Sequence, residues 1–290
     1  MRQFRGNNNI GKPAEPRGTL QVMYLGIDVG GTKTLIAVLD DHGVIKEHLK
    51  FPTNKNYAAW RNHLAEVVDE LTIKKFTACC VAVPGRINRI KGIGLDMGNL
   101  PWHDVPVKSD LQKLLDCPVA VENDANLAGL SEAMLVKEYS RVLYVTISTG
   151  IGTGFILDKA IDPAFADSEG GQMLLEFHDR LEPWEDFASG RAIVTRYGKR
   201  AADITDAATW KHITHDIALG LINLIAIVQP EIIVLGGSVG TYYSRYKKPL
   251  RDALARYATP LVPIPPIKQA SRPEEAVVYG CYDLAKNIYG

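Results

Sequence analysis

Two short stretches of this chain hold the residues with the most chemistry to offer. In Leu25–Lys33 the run LGIDVGGTK places one acid, Asp28, near the end of an apolar segment that breaks on Gly30-Gly31-Thr32-Lys33 and resumes at Leu35–Leu39. Two strands joined by such a turn form a hairpin whose tip exposes backbone N–H groups. Glycine lets an anion approach those groups closely, so the tip is a place for phosphate. Asp28 stands where it can meet the metal that travels with a nucleotide. An ordinary tight hairpin with one polar residue has the same pattern, and this stretch alone leaves both readings open. The second stretch is Glu122-Asn123-Asp124-Ala125-Asn126, between an apolar Pro118–Val121 and a helical Leu127–Val136. A helix cap needs one Asn or Asp. Here four polar residues crowd a strand-to-helix junction, and strand ends in an α/β sheet are where ligands bind.

Apolar spacing indicates the elements that must position these groups. Val44–Phe51 reads as a third antiparallel strand, and Trp60, Leu64, Val67, Val68 and Leu71 give Ala58–Leu71 a helical stripe. Thr77–Val83 is a buried strand that stops at Pro84-Gly85. Arg86–Trp102, with Gly92, Gly94, Gly98, Asn99 and Pro101, reads as a long polar loop of the kind that carries function. Lys108–Leu115 is a short helix. After Val142–Thr146 comes Ser148–Gly154 with a glycine at every second position, then Phe155–Leu157. This second strand–turn–strand unit echoes the first and predicts two domains of like topology. Ala166–Gly190 is acidic and irregular, the usual composition of a solvated face. Ser189–Tyr197 starts a helix. His212–Val228 is a core helix by its stripe, and Glu231–Leu235 is a strand running into Gly236-Gly237, where a side chain would block a base or ribose. Tyr243–Tyr257 is a helix, Pro260–Pro266 an extended link and Ala276–Ile288 a closing helix.

Composition narrows the classes. The chain has 290 residues, with Lys plus Arg and Asp plus Glu both at 33, so no basic field is offered to nucleic acid or an anionic membrane. No apolar run approaches the length that spans a bilayer. The four cysteines form no C-x-x-C pair and read as core thiols, in keeping with a reducing cytoplasm. Residues 1–22 are polar, lack the apolar core of a secretory signal and are expected to be a disordered tail. There is no Walker loop, no G-x-S-x-G, no H-E-x-x-H and no H-R-D set, and Gly150-x-Gly152-x-Gly154 has the wrong spacing for a dinucleotide fingerprint.

Taken together and in order, DVGGTK at Asp28–Lys33, VPG at Val83–Gly85, Asn99–Trp102, ENDAN at Glu122–Asn126, Ser148–Gly154, EDFASG at Glu185–Gly190 and EIIVLGG at Glu231–Gly237 resemble the ROK family of sugar kinases. That family lies within the actin-like ATPase, or ribonuclease H-like, superfamily. The resemblance implies an α/β fold of two actin-like domains, residues 23–121 plus 276–290 and residues 122–275, with the active site in the cleft between them. It implies ATP-dependent phosphorylation of a hexose hydroxyl, with glucose and its 6-hydroxyl first. By the same resemblance Asp124 is the catalytic base. Asp28, Gly30, Gly31, Thr32, Lys33, Thr149, Gly150, Gly236 and Gly237 serve the nucleotide, and Asp28 holds Mg²⁺ through water. Gly85, Arg86, Asn99, Asn123, Glu169, Gln172 and Glu185 lie on the sugar side. A cytoplasmic homodimer with no nucleic-acid or membrane partner is expected.

Two departures bear on the substrate. Many members carry a zinc held by a histidine and a following cysteine cluster. Gln172 occupies the histidine position here and no cysteine lies between Cys117 and Cys281, so no zinc is expected. Arg86 replaces a proline common in the hexose kinases and resembles N-acetylmannosamine kinases, which keeps an N-acetylhexosamine kinase as the alternative. A sugar-sensing repressor of the family carries an added DNA-binding domain in front, for which residues 1–22 are too short.

Overall fold

The computed structural model describes residues 22–272 and 275–290; apart from Val22, the tail expected over 1–22 lies outside the described residues. The chain builds two five-stranded sheets of one strand order. In the first, β1 (Met23–Val29), β2 (Lys33–Asp40) and β3 (Ile45–Pro52) are antiparallel. After α1 (Tyr57–Glu70), β4 (Ala78–Val83) pairs in parallel with β1. The two-residue period of β1 and β4 sends Leu25, Ile27 and Val81 to one core with Trp60 and Leu64 of α1. It sends Tyr24, Ala78 and Cys80 to the opposite face.

Between β4 and the last strand of this sheet, the expected loop over 86–102 is instead an antiparallel meander of β5 (Arg86–Asn88), β6 (Ile93–Met97) and β7 (Leu100–Val105). Strands this short carry no readable alternation, and two register shifts break what there is. Yet Ile87, Met97, Leu100, Trp102 and Val105 are all buried. α2 (Val107–Leu115) follows, and β8 (Val119–Asn123) completes the sheet beside β4.

α3 (Asp124–Ala133) starts directly at the end of β8, three residues before the expected Leu127, because the Asn123 side chain caps it by accepting from Ala125 and Asn126 N–H. It packs on the second sheet, against β9 (Arg141–Ile147) and β10 (Ile151–Leu157). β10 begins at Ile151, so Gly152 and Gly154 are strand residues and the turn is only Ser148–Gly150. β11 (Ala160–Ile161) is the short edge. The stretch read as an irregular acidic face holds a hairpin, β12 (Leu174–Phe177) and β13 (Arg180–Pro183), and then α4 (Trp184–Ala188). Trp184 and Phe187 are buried in the second core, an apolar signal that the surrounding acids masked.

α5 (Gly190–Tyr197) and α6 (Ala207–Val228) follow. The expectation that no apolar run reaches bilayer length is corrected by α6: its 22 residues are long and apolar enough by length and composition. In the structure Ile213, Ile217, Leu221 and Leu224 of α6 fill the second core, and its Asp216 pairs with Arg196 at 2.6 Å. β14 (Ile232–Gly236) pairs with β9, and α7 (Gly237–Gly240) and α8 (Tyr243–Ala255) lead to β15 (Ile267–Gln269), a strand that the proline-rich link concealed. α9 (Ala276–Tyr289) leaves the second sheet and packs on β1 and β4 of the first. Each sheet is therefore covered by a helix from the other half, and α3 and α9 cross. At the crossing a Cβ on Gly280 would stand 1.9 Å from the Leu127 carbonyl oxygen, so only glycine permits the approach.

Candidate active site

The β1–β2 hairpin closes with Gly30 N–H donating to Lys33 O at 3.0 Å. Gly30 and Gly31 are half-buried, while Thr32 and Lys33 face solvent. Lys55 braces the tip: its Nζ donates to Gly31 O and to Asn99 O, each at 3.0 Å. Trp102 Nε1 in turn donates to Lys55 O at 2.9 Å. Asn99, on the β6–β7 turn, is thereby held against the hairpin. Lys55 was missed by sequence reasoning because a single lysine in a loop forms no pattern.

Asp28, the last residue but one of β1, feels the charge of Asp124, the first residue of α3. Burial, then the charge of Asp124, raises the Asp28 carboxyl to about 7, and Lys50 offsets part of this. Burial raises Asp124 to about 6, against the opposing Ala125 N–H bond to its Oδ1 at 2.8 Å. Two carboxylates brought from separate strand ends into one desolvated place are the signature of a site rather than of a stable core. Glycine on β10 makes room for this: a Cβ on Gly154 would lie 2.7 Å from Ala125 O. The alternating glycines of 150–154 thus serve the approach of α3 as well as the turn.

On the other side of Asp124, Asn123 Nδ2 donates to Gly85 O at 3.2 Å, joining the junction to the end of β4. Glu169 precedes a short turn, Gly170–Gln172. Burial first, then the charges of Asp124 and Glu185, raises its carboxyl, and Arg86 opposes them. Gln172 Nε2 donates to Glu185 Oε1 at 2.9 Å. The other oxygen of Glu185 accepts from Ile151 N–H at 3.1 Å, at the foot of the second hairpin. Glu185 therefore touches both the expected sugar side and the expected phosphate side.

A cavity of about 800 Å³ opens beyond that hairpin, lined by Ser148, Thr149, Gly190, Arg191, Gly237 and Tyr242 among others. Gly190 N–H donates to Ser148 O at 2.6 Å and fixes the cavity's edge. Gly150 and Gly236 do not line it. The reason given for glycine at 236 is corrected here: a Cβ would meet Tyr144 Oη at 2.1 Å, so the residue is small to admit tyrosine, not a ribose. His178 is exposed at the β12–β13 turn and meets the Phe177 ring edge-on. Among the described residues no group of three or more His, Cys, Asp or Glu side chains is placed to hold a metal.

A sequence profile of the ROK family matches residues 24–288. A glucokinase of Streptomyces coelicolor is 26% identical, over 91% of this chain and 98% of its own length. An N-acetyl-D-glucosamine kinase of Haemophilus influenzae is 28% identical, over 90% of this chain and 99% of its own. The crystal structure of a ROK family glucokinase from Streptomyces griseus, in complex with glucose and AMPPNP, superposes with a TM-score of 0.77 at 22% identity, covering 91% of this chain and 99% of that one. The last is a likeness of fold, and it gives the two repeated sheets their place among two-domain actin-like structures.

Proposed function

The chain belongs to the ROK family, and on that premise we propose that it is an ATP-dependent sugar kinase, with glucose as the first candidate acceptor and Asp124 as the general base. The observation that carries the proposal is the Asp28–Asp124 pair. Both carboxyls are raised by burial, Asp28 feels the charge of Asp124, and Asp124 in turn acts on Glu169.

A sugar hydroxyl is a weak nucleophile until its proton has an acceptor, and a carboxylate whose pKa sits near 6 is well matched to take it at neutral pH. Asn123, Glu169 and Glu185 offer donors and acceptors that orient several hydroxyls at once. The cavity at Thr149 and Gly237 takes the nucleotide, and the tip at Gly30–Lys33 faces its phosphates. Asp28 suits Mg²⁺: a buried carboxylate driven toward protonation is relieved by a cation that uses few protein ligands and shares the phosphates. Asp28 would hold that ion through water, and the ion when bound neutralises phosphate charge. No zinc enters the proposal, because Gln172 stands at the histidine position and no cysteine lies between Cys117 and Cys281. We draw the two domains as 23–121 with 276–290, and 122–275.

A second reading, an N-acetylhexosamine kinase, is favoured by the charge of Arg86 beside Glu169. An ATP-consumption screen across hexoses, hexosamines and their N-acetyl forms separates the two. Turnover highest on glucose supports the first reading, turnover highest on an N-acetyl sugar supports the second, and no turnover on any sugar overturns both.

A further inference from the structure

Arg89 follows β5, in the turn before β6, and no expectation singled it out. Its guanidinium grips Glu122 with two parallel bonds: Nε donates to Oε2 and Nη2 to Oε1, both at 2.7 Å. Nη2 also donates to Ala166 O at 2.6 Å, and Nη1 pairs with Asp167. Glu122 is only 5% exposed. Its Oε1 further accepts from Asn123 N–H at 2.7 Å and Asn126 Nδ2 at 3.0 Å, and Asn126 Nδ2 returns to Ala166 O at 2.9 Å. The circuit Arg89–Glu122–Asn126–Ala166 is closed, and it joins segments 33 and 78 residues from Arg89 along the chain.

Glu122 stands two residues before Asp124, and Asp167 two residues before Glu169. One planar cation therefore sets the position of both carboxylates. Behind it lies a cavity of about 490 Å³, lined by Arg89, Glu122, Leu130, Lys159, Ala166 and Asp283 among others. On that side the 166–167 segment is held by hydrogen bonds, from Asn126 to Ala166 O and from the guanidinium to Ala166 O and Asp167.

We propose that Arg89 is a positioning residue, which locks the base-bearing junction and the sugar-side segment into one register across the cleft. This rests on the kinase reading, and it concerns a residue that acts through Glu122, Ala166 and Asp167. Lysine keeps the charge but not the fork, and cannot make the paired bonds and the third arm together. Misplacement of about 1 Å in such a site costs on the order of 100-fold in rate.

The test is steady-state kinetics of Arg89→Lys and Asp167→Asn, on the sugar that the screen ranks first. Arg89→Lys is expected to lower kcat/KM for the sugar by about 30-fold or more, with the ATP KM within about twofold of wild type. Asp167→Asn, which loosens one arm, is expected to raise the sugar KM with a smaller fall in kcat. Wild-type kinetics in Arg89→Lys overturns the proposal, as does an equal rise of both KM values in step with a lower Tm. Hydrogen–deuterium exchange reads the clamp without activity: Arg89→Lys should speed exchange by about tenfold at both 123–126 and 166–170, and unchanged exchange at either overturns it. A wild-type enzyme that transfers phosphate to no sugar sinks the kinase reading, and the exchange result then still decides the clamp.

Discussion

The two hairpins that face the cleft share a backbone and differ in charge. β1 and β9 are both seven-residue central strands, each paired in parallel with the next strand of its sheet. The sixth residue is Asp28 in one and Thr146 in the other. Their braces are opposite in sign as well. The cation of Lys55 holds the carbonyl of Gly31 in the first, and the carboxylate of Glu185 holds the N–H of Ile151 in the second. The repeat thus copies geometry and not chemistry. The first hairpin carries its own acid, Asp28. The second is neutral at its tip and borrows a carboxylate that also answers to Gln172.

The comparison can be broken most severely at the group standing between the hairpins. Asp124→Asn is expected to lower kcat by about 10³-fold or more, while calorimetry shows sugar affinity within a few-fold of wild type. In the intact enzyme kcat should fall as pH drops through about 6, since the base must be unprotonated. A flat profile there, or near-normal turnover in the variant, removes Asp124 from the role.

A milder cut tests the borrowed carboxylate. Glu185→Gln should raise the KM for sugar and for ATP together by several-fold, because it touches both Gln172 and Ile151. Glu169→Gln should raise the sugar KM alone. If both variants move only the sugar KM, the second hairpin is not coupled to Glu185.

The smallest effect is on stability and comes from the first hairpin. Asp28 has its carboxyl raised to about 7, above the ordinary carboxylate value it takes in the unfolded chain. Its contribution is fully present below the unfolded value and is lost as pH rises through about 7. Asp28→Asn should therefore have a higher Tm than wild type at pH 8 without ligand, with the gap closing toward pH 5. A gap that widens on acidification reverses the sign and refutes the burial account.

Asp28, the glycine tip and the Asn123-Asp124 junction were readable because each breaks a local rule. An acid interrupts an apolar strand, and a helix start holds more polar groups than a cap requires. Glu185 was readable only through resemblance, and its bond to Ile151 was not readable at all. Arg89 and Lys55 act through partners far off in sequence, and nothing local marks an arginine whose work is done 33 and 78 residues away. The β5–β7 meander was lost because register shifts break its alternation and its glycines and Pro101 read as loop. Glycines misled most: at 154 and 236 they answer to Ala125 and Tyr144, neighbours that only the folded chain brings near.

The crossing of α3 and α9 also bears on how the chain is made. β1 and β4, which leave the ribosome ahead of the second sheet, present Tyr24, Ala78 and Cys80 to a face that Cys281 and Ala285 of α9 cover. Those covering residues are translated only after every strand of the second sheet. The N-terminal sheet must therefore wait, with one apolar side bare, for the whole of the other half to be synthesised. A nonsense codon at or before Cys281 would uncover a sheet made long before it, and not only the segment it removes.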